Sequence, residues 1–163
     1  MTRGAVLLLF TVSACGPSQK EVRTAKEARY KTEPAVVWKA ITDAVRSEYP
    51  RTYYEVTDTT LVSDWHLIER DVDDQATEYG KRGGMNTKAG KFMRVKITVA
   101  GPPWTISIEG EAALYRPGYA ALIPYKRHSE EEPGWVDGRI DQLYVLIHDK
   151  LKTYETAPTP PGP

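Results

Sequence analysis

Met93-Arg94-Val95-Lys96-Ile97-Thr98-Val99, then Gly101-Pro102-Pro103, then Trp104-Thr105-Ile106-Ser107-Ile108-Glu109-Gly110-Glu111-Ala112-Ala113-Leu114 is the stretch that decides the fold class of this chain. In the first run Met93, Val95, Ile97 and Val99 alternate with Arg94, Lys96 and Thr98. In the second, Trp104, Ile106, Ile108, Ala112 and Leu114 alternate with Thr105, Ser107, Glu109 and Glu111. A two-residue period sends successive side chains to opposite faces of a strand, and Gly-Pro-Pro between the runs is a turn signal. The pair reads as an antiparallel hairpin with one face in a core and one in water.

Working outward, Tyr53–Thr57 and Leu61–Arg70 read as a second hairpin around Asp58-Thr59-Thr60, with Leu61, Trp65 and Leu67 of one parity. A polar, glycine-rich loop, 71–90, joins the two hairpins. Upstream, Thr32-Glu33-Pro34 opens a helix, since proline fits its first turn. Val37, Ile41, Val45 and Tyr49 form its apolar face, Trp38 lies beside them, and Pro50 ends it. Residues 23–31, with Ala25, Ala28 and Tyr30, are expected as a first strand. Residues 116–136 form a second long connection. A final helix over 137–154 carries Ile140, Leu143, Tyr144, Ile147, Leu151 and Tyr154 on one side. The expected fold is α+β: a two-layer domain over 30–154 in the order β-α-β-β-β-β-α, an antiparallel sheet against a long C-terminal helix. The Pro-rich residues 155–163 are expected as a disordered tail.

The N-terminus carries an address. Arg3 precedes an apolar run, Ala5–Val12, too short to span a bilayer but suited to a secretory signal. Val12-Ser13-Ala14-Cys15 then resembles the bacterial lipobox, an aliphatic residue and two small ones before a cysteine. The resemblance implies a signal peptide over 1–14, cleavage between Ala14 and Cys15, and a covalent lipid on Cys15 as membrane anchor. Residues 15–29 would then be the lipidated N-terminus and its tether. Gly16, rather than Asp, favours the outer membrane under the sorting rule of enteric bacteria.

A second resemblance concerns the fold. Glu33-Pro34-Ala35-Val36-Val37-Trp38-Lys39-Ala40-Ile41 resembles the opening helix of helix-grip domains, in which, as in START-like proteins, an antiparallel sheet wraps a long C-terminal helix. Tyr54-Glu55-Val56-Thr57-Asp58 with Leu61-Val62-Ser63-Asp64-Trp65 is similar to the helix-grip repeats of the C lipoprotein subunit of the outer-membrane β-barrel assembly machinery.

Composition narrows the chemistry. The 163 residues balance 22 Lys+Arg against 22 Asp+Glu, without the basic footprint of a nucleic-acid binder. One cysteine excludes a disulfide framework and a cysteine-built zinc site. His66, His128 and His148 share no spacing that suggests a metal. Asp71, Asp73 and Asp74 fail the calcium-loop pattern, with Ala76 where it needs Gly and Arg82 where it needs Glu. The loop from Gly80 to Lys91 lacks the Walker spacing and reads as a basic surface loop that could touch anionic headgroups. Glu109 and Glu111 permit a carboxylate pair but are equally explained by a wet strand face. No serine has a hydrolase setting, so no catalytic residue and no cofactor beyond the lipid on Cys15 are expected.

Tyr115-Arg116-Pro117-Gly118-Tyr119-Ala120-Ala121-Leu122-Ile123-Pro124-Tyr125 is unusually apolar for a loop. Either Leu122 and Ile123 plug the edge of the core, or Tyr115, Tyr119, Leu122, Ile123 and Tyr125 form a partner-binding patch. The expectation is a non-catalytic lipoprotein at the periplasmic face of the outer membrane, serving as an interaction module for an envelope protein. The alternative is a carrier or sensor of a hydrophobic ligand, held in a cavity between sheet and long helix.

Overall fold

The central hairpin forms where its alternation places it. In the computed structural model, which describes residues 16–70 and 89–156, β4 (Gly90–Ala100) and β5 (Thr105–Tyr115) pair antiparallel from Gly90↔Tyr115 to Ala100↔Thr105. Met93, Val95, Ile97, Val99, Ile106, Ile108 and Ala112 are buried on one face. On the other, Arg94 pairs with Glu111 at 2.7 Å and Lys96 with Glu109 at 3.4 Å. The turn requires its glycine: Gly101 has φ 151°, and a Cβ there would lie 2.5 Å from the Pro103 carbonyl oxygen.

Four shorter strands complete a six-stranded antiparallel sheet: β1 (Tyr54–Val56), β2 (Thr60–Ser63), β3 (His66–Arg70) and β6 (Ile123–Pro124). The order is β1-β2-β4-β5-β6, with β3 also on β4, beyond the end of β2. Three helices cover one face: α1 (Gln19–Glu27), α2 (Pro34–Glu48) and α3 (Trp135–Leu151), the last running into a 3₁₀ turn, Lys152–Tyr154. The domain is α+β, as its patterning implies. None of the helices among the described residues is long and apolar enough to cross a membrane.

The expected first strand over 23–31 is instead mostly helix. Ser18 caps α1: its hydroxyl accepts from the Glu21 N–H, and the Glu21 carboxylate accepts from the Ser18 N–H at 2.8 Å. This reciprocal capping box starts a helix, and Val22 and Ala25 then fall three apart on a buried face. Strand character survives only at Tyr30, which bridges Trp104 on one side and Glu155 on the other. The tether expected over 15–29 is therefore folded from Gln19 onward. Helix α1 lies on α3, where the Lys26 ammonium meets Asp141 at 2.7 Å and sits 5.4 Å from the Tyr144 ring centroid. The signal peptide, Ala14, Cys15, the acidic and glycine-rich stretch over 71–88 and residues 157–163 lie outside the described residues. The first two residues of the expected disordered tail over 155–163 are held in place, Glu155 bridging Tyr30 and the Thr156 N–H donating to the Arg29 carbonyl.

The shared parity expected for Leu61, Trp65 and Leu67 fails for a geometric reason. Strand β2 meets β4 in the register Leu61↔Ile97, whereas β3 resumes at His66↔Met93, one residue out of step. A one-residue insertion moves every later side chain to the opposite face. Leu61 is therefore in the core, while Trp65 turns outward with its ring 4.8 Å from the Arg94 guanidinium. At the break Ser63 is buried, and its hydroxyl accepts the Val95 N–H at 2.9 Å. The break thus leaves no orphan donor there. A second shift between Leu67 and Glu69 brings Glu69 round to the start of α3, where it accepts from Lys91 and from Trp135 Nε1.

The space between sheet and helices is filled. Val37, Ile41 and Val45 from α2, Leu61, Met93, Val95 and Ile97 from the sheet, and Leu143, Ile147 and Leu151 from α3 form one cluster, all essentially inaccessible to solvent. Packing is close enough that a Cβ on Gly110 would come within 2.9 Å of Ile140 Cδ1. Glycine lets α3 approach the sheet at that point.

Candidate functional site

The apolar loop after β5 divides into three parts. Tyr115 ends β5 half-buried, paired with Gly90. A turn follows in which the Tyr119 N–H donates to the Arg116 carbonyl and Gly118 has φ 89°; this leaves the Tyr119 side chain 56% exposed. Leu122 is half-buried, and Ile123 and Pro124 form β6 against Ala113 and Leu114, with Ile123 37% exposed. Tyr125 donates its N–H to the Ala112 carbonyl at 2.9 Å and packs on the core. The loop closes the sheet edge and leaves Tyr119 and Ile123 facing solvent. Tyr115, Leu122 and Tyr125 are half-buried.

Beyond the loop, Arg127 ties the connection to α3 by bonding Glu132 at 2.7 Å and Asp137. The nearly buried Glu132 carboxylate also accepts the His128 N–H. These bonds hold the Asp137 carboxyl below the usual carboxylate range, the Arg127 hydrogen bond being the main cause.

The histidines are not assembled. His66 Nδ1 shares a hydrogen bond of 2.9 Å with the Thr52 hydroxyl, beside the Tyr49 ring. His148 is half-buried, and its Nδ1 meets the hydroxyl of buried Tyr30 at 3.1 Å. His128 is exposed in the 126–134 loop, with φ 60°. Among the described residues no three potential ligands gather into a metal site. Glu109 and Glu111 bind separate cations instead of each other.

Desolvation, aided by the charge of Arg139, holds His66 below its ordinary pKa of 6.5. The unfolded chain therefore takes up the proton first as pH falls. The associated stability is present above about pH 6.5 and is lost as pH drops towards the folded-state value. Urea midpoints at pH 7.5, 6.5 and 5.5 are expected to fall less steeply for His66→Asn than for the unaltered chain; equal slopes would show that other groups govern the decline.

Among the described residues, open concavities line α1. One of about 540 Å³ is bounded by residues including Lys26, Arg29, Thr105 and Glu155. Another, of about 410 Å³, lies between α1 and α3 beside Ser18, Glu21, Val145 and His148. Both are open to solvent and bordered mainly by charged and polar residues, Lys26, Arg29 and Glu155 at the first and Glu21, His148 and Asp149 at the second, whereas a lipid carrier needs an enclosed apolar cavity.

Sequence reasoning missed a different exposed region. Tyr53, 82% exposed, and Val56, 47% exposed, flank and end β1 at the opposite margin of the sheet from β6. Their alternation is too short to show which groups lack a neighbour; only the strand order does. Comparison of the chain with protein-family models, curated proteins and solved structures finds no match in any of the three.

Proposed function

We propose that this chain is a non-catalytic interaction module of the bacterial envelope, anchored at the periplasmic face of the outer membrane by a lipid on Cys15. Its helix-grip-like domain would serve as an accessory to an envelope protein. One observation carries this reading: the interior between sheet and α3 is filled, while bulky apolar side chains stand in solvent at both sheet margins, Tyr53 and Val56 at one and Tyr119 and Ile123 at the other. A ligand carrier needs the reverse, an open interior. Exposed aromatics at the margins of a folded domain are what partner surfaces use.

The position of α1 adds a constraint. It begins at Gln19, so only a few residues separate it from Cys15. Fully extended, such a segment reaches about 14 Å. A lipidated Cys15 would therefore hold the domain against the bilayer surface, within reach of membrane-embedded partners and close to their periplasmic loops.

The test is recovery of the lipidated protein from gently solubilised envelopes, with mass spectrometry of both proteins and lipids. A stoichiometric membrane-protein partner, lost in the double variant Tyr119→Ser/Ile123→Ser, is expected. A tightly bound lipid with no protein partner would overturn the reading in favour of a carrier. Cys15→Ser should release the protein from the membrane fraction; retention there would remove the anchor from the proposal.

A further inference from the structure

We infer that the free edge of β1 docks an extended segment of a partner protein by strand addition, with a basic residue of that segment opposite Glu55. The inference rests on the reading of the chain as an interaction module and names a second contact, at the opposite margin from Tyr119.

The two margins of the sheet are built differently. Along β5 much of the edge is engaged: Tyr30 bridges Trp104, the Tyr144 hydroxyl accepts the Ile108 N–H at 2.8 Å, Tyr125 donates to Ala112, and β6 covers Ala113 and Leu114. Pro124 in β6 has no N–H to offer a further strand. At the other margin β1 pairs with β2, and no described strand lies beyond it. The hydrogen bonds from Asp64 N–H to the Tyr53 carbonyl and from Thr57 N–H to the Thr60 carbonyl set the phase. Residues 53, 55 and 57 turn their backbone groups to β2, so Tyr54 and Val56 present N–H and C=O outward. Natural edges are commonly blocked by Lys, Pro or a bulge. This one reads Tyr-Tyr-Glu-Val-Thr, with Tyr53 and Val56 exposed.

Charge selects the occupant. A second copy, related by a twofold axis and using both outward-facing residues of each β1, would pair Tyr54 of one copy with Val56 of the other and set two Glu55 carboxylates directly opposite. Like charges in that position are destabilising, whereas a basic residue there is favourable. The matching segment is antiparallel, with β-branched residues opposite Tyr54 and Val56 and Lys or Arg between them.

The probe is the blocked peptide acetyl-Thr-Val-Lys-Val-Thr-amide, titrated into the isotopically labelled full chain in mild detergent. Amide exchange at Tyr54 and Val56 is expected to slow at least tenfold near saturation. Val56→Pro removes one outward N–H, leaves the β1–β2 hydrogen bonds in place and should abolish the effect. Glu55→Lys should weaken binding about three- to tenfold and transfer the preference to the Glu-centred peptide, acetyl-Thr-Val-Glu-Val-Thr-amide. This reversal is a readout that general damage to the fold would not produce, so it decides the matter even if Val56→Pro loses protection in α3. Unchanged exchange at Tyr54 and Val56, or an unchanged preference in Glu55→Lys, overturns the inference. If the Tyr119 variant still loses its partner in that case, the module reading stands without the edge.

Discussion

Replacing Leu143 by alanine is expected to lower stability by about 2–5 kcal/mol and to open the interior to small apolar molecules. Leu143 lies on the core face of α3 with no solvent exposure. Its neighbours in the cluster come from both layers, so a shift of one element cannot refill the space. The loss is a large share of the roughly 5–15 kcal/mol that stabilises a domain of this kind. Urea titration would read it as a lower midpoint with an unchanged slope. The same variant separates module from carrier. The unaltered chain should take up no fatty acid or benzene-sized probe in its interior, whereas Leu143→Ala should bind the small probe. Stoichiometric uptake by the unaltered chain would mean that the filled core opens in solution, and the module reading would yield to the carrier.

Val22→Asp is the second large effect expected, about 3 kcal/mol, because it places an unpaired carboxylate in the buried contact between α1 and the body of the domain. Arg23→Asp, one residue along and exposed, should change stability by less than about 0.5 kcal/mol. The contrast tests whether α1 belongs to the cooperative unit. In thermal unfolding, Val22→Asp should lower the midpoint of the whole transition by about 10 °C. If both substitutions left it unchanged, residues 19–27 would be a tether in solution, and the domain would hang at a distance from the lipid. The outcome therefore bears on reach as well as stability. The surface pair Lys26–Asp141 contributes little by itself, since exposed ion pairs are typically worth under about 1 kcal/mol.

Much of the fold was legible. Helix α2 begins at Pro34 and stops before Pro50, because proline is tolerated only at a helix start. The β4–β5 hairpin follows its alternation, and α3 follows its 3.6-residue stripe, opening at Trp135, two residues before its expected start. Two readings failed through competition between local signals. In residues 23–31, β-prone Tyr30 and scattered alanines suggested a strand, but the capping box at Ser18 and Glu21 lay just upstream of the window and won. At Trp65 the parity count crossed a bulge, and Ser63-Asp64 carries no glycine or proline to announce one.

The candidate site was half legible for a related reason. Apolar content marked 115–125 as unusual, yet Tyr119 and Tyr125 look alike in a list of residues. Only pairing of Tyr125 with Ala112 separates a core tyrosine from an exposed one. Period, capping and turn chemistry are local properties, so the amino-acid sequence alone determined the class of fold, the positions of α2, α3 and the hairpins, and the pattern that resembles a lipid anchor. Which edge of the sheet is closed, which face Trp65 occupies and whether the interior holds a cavity depend on contacts between segments far apart in the chain. Those were decided only when α3 settled on the sheet and Tyr30, Tyr144 and β6 covered one margin, while at the other no described strand lies beyond β1.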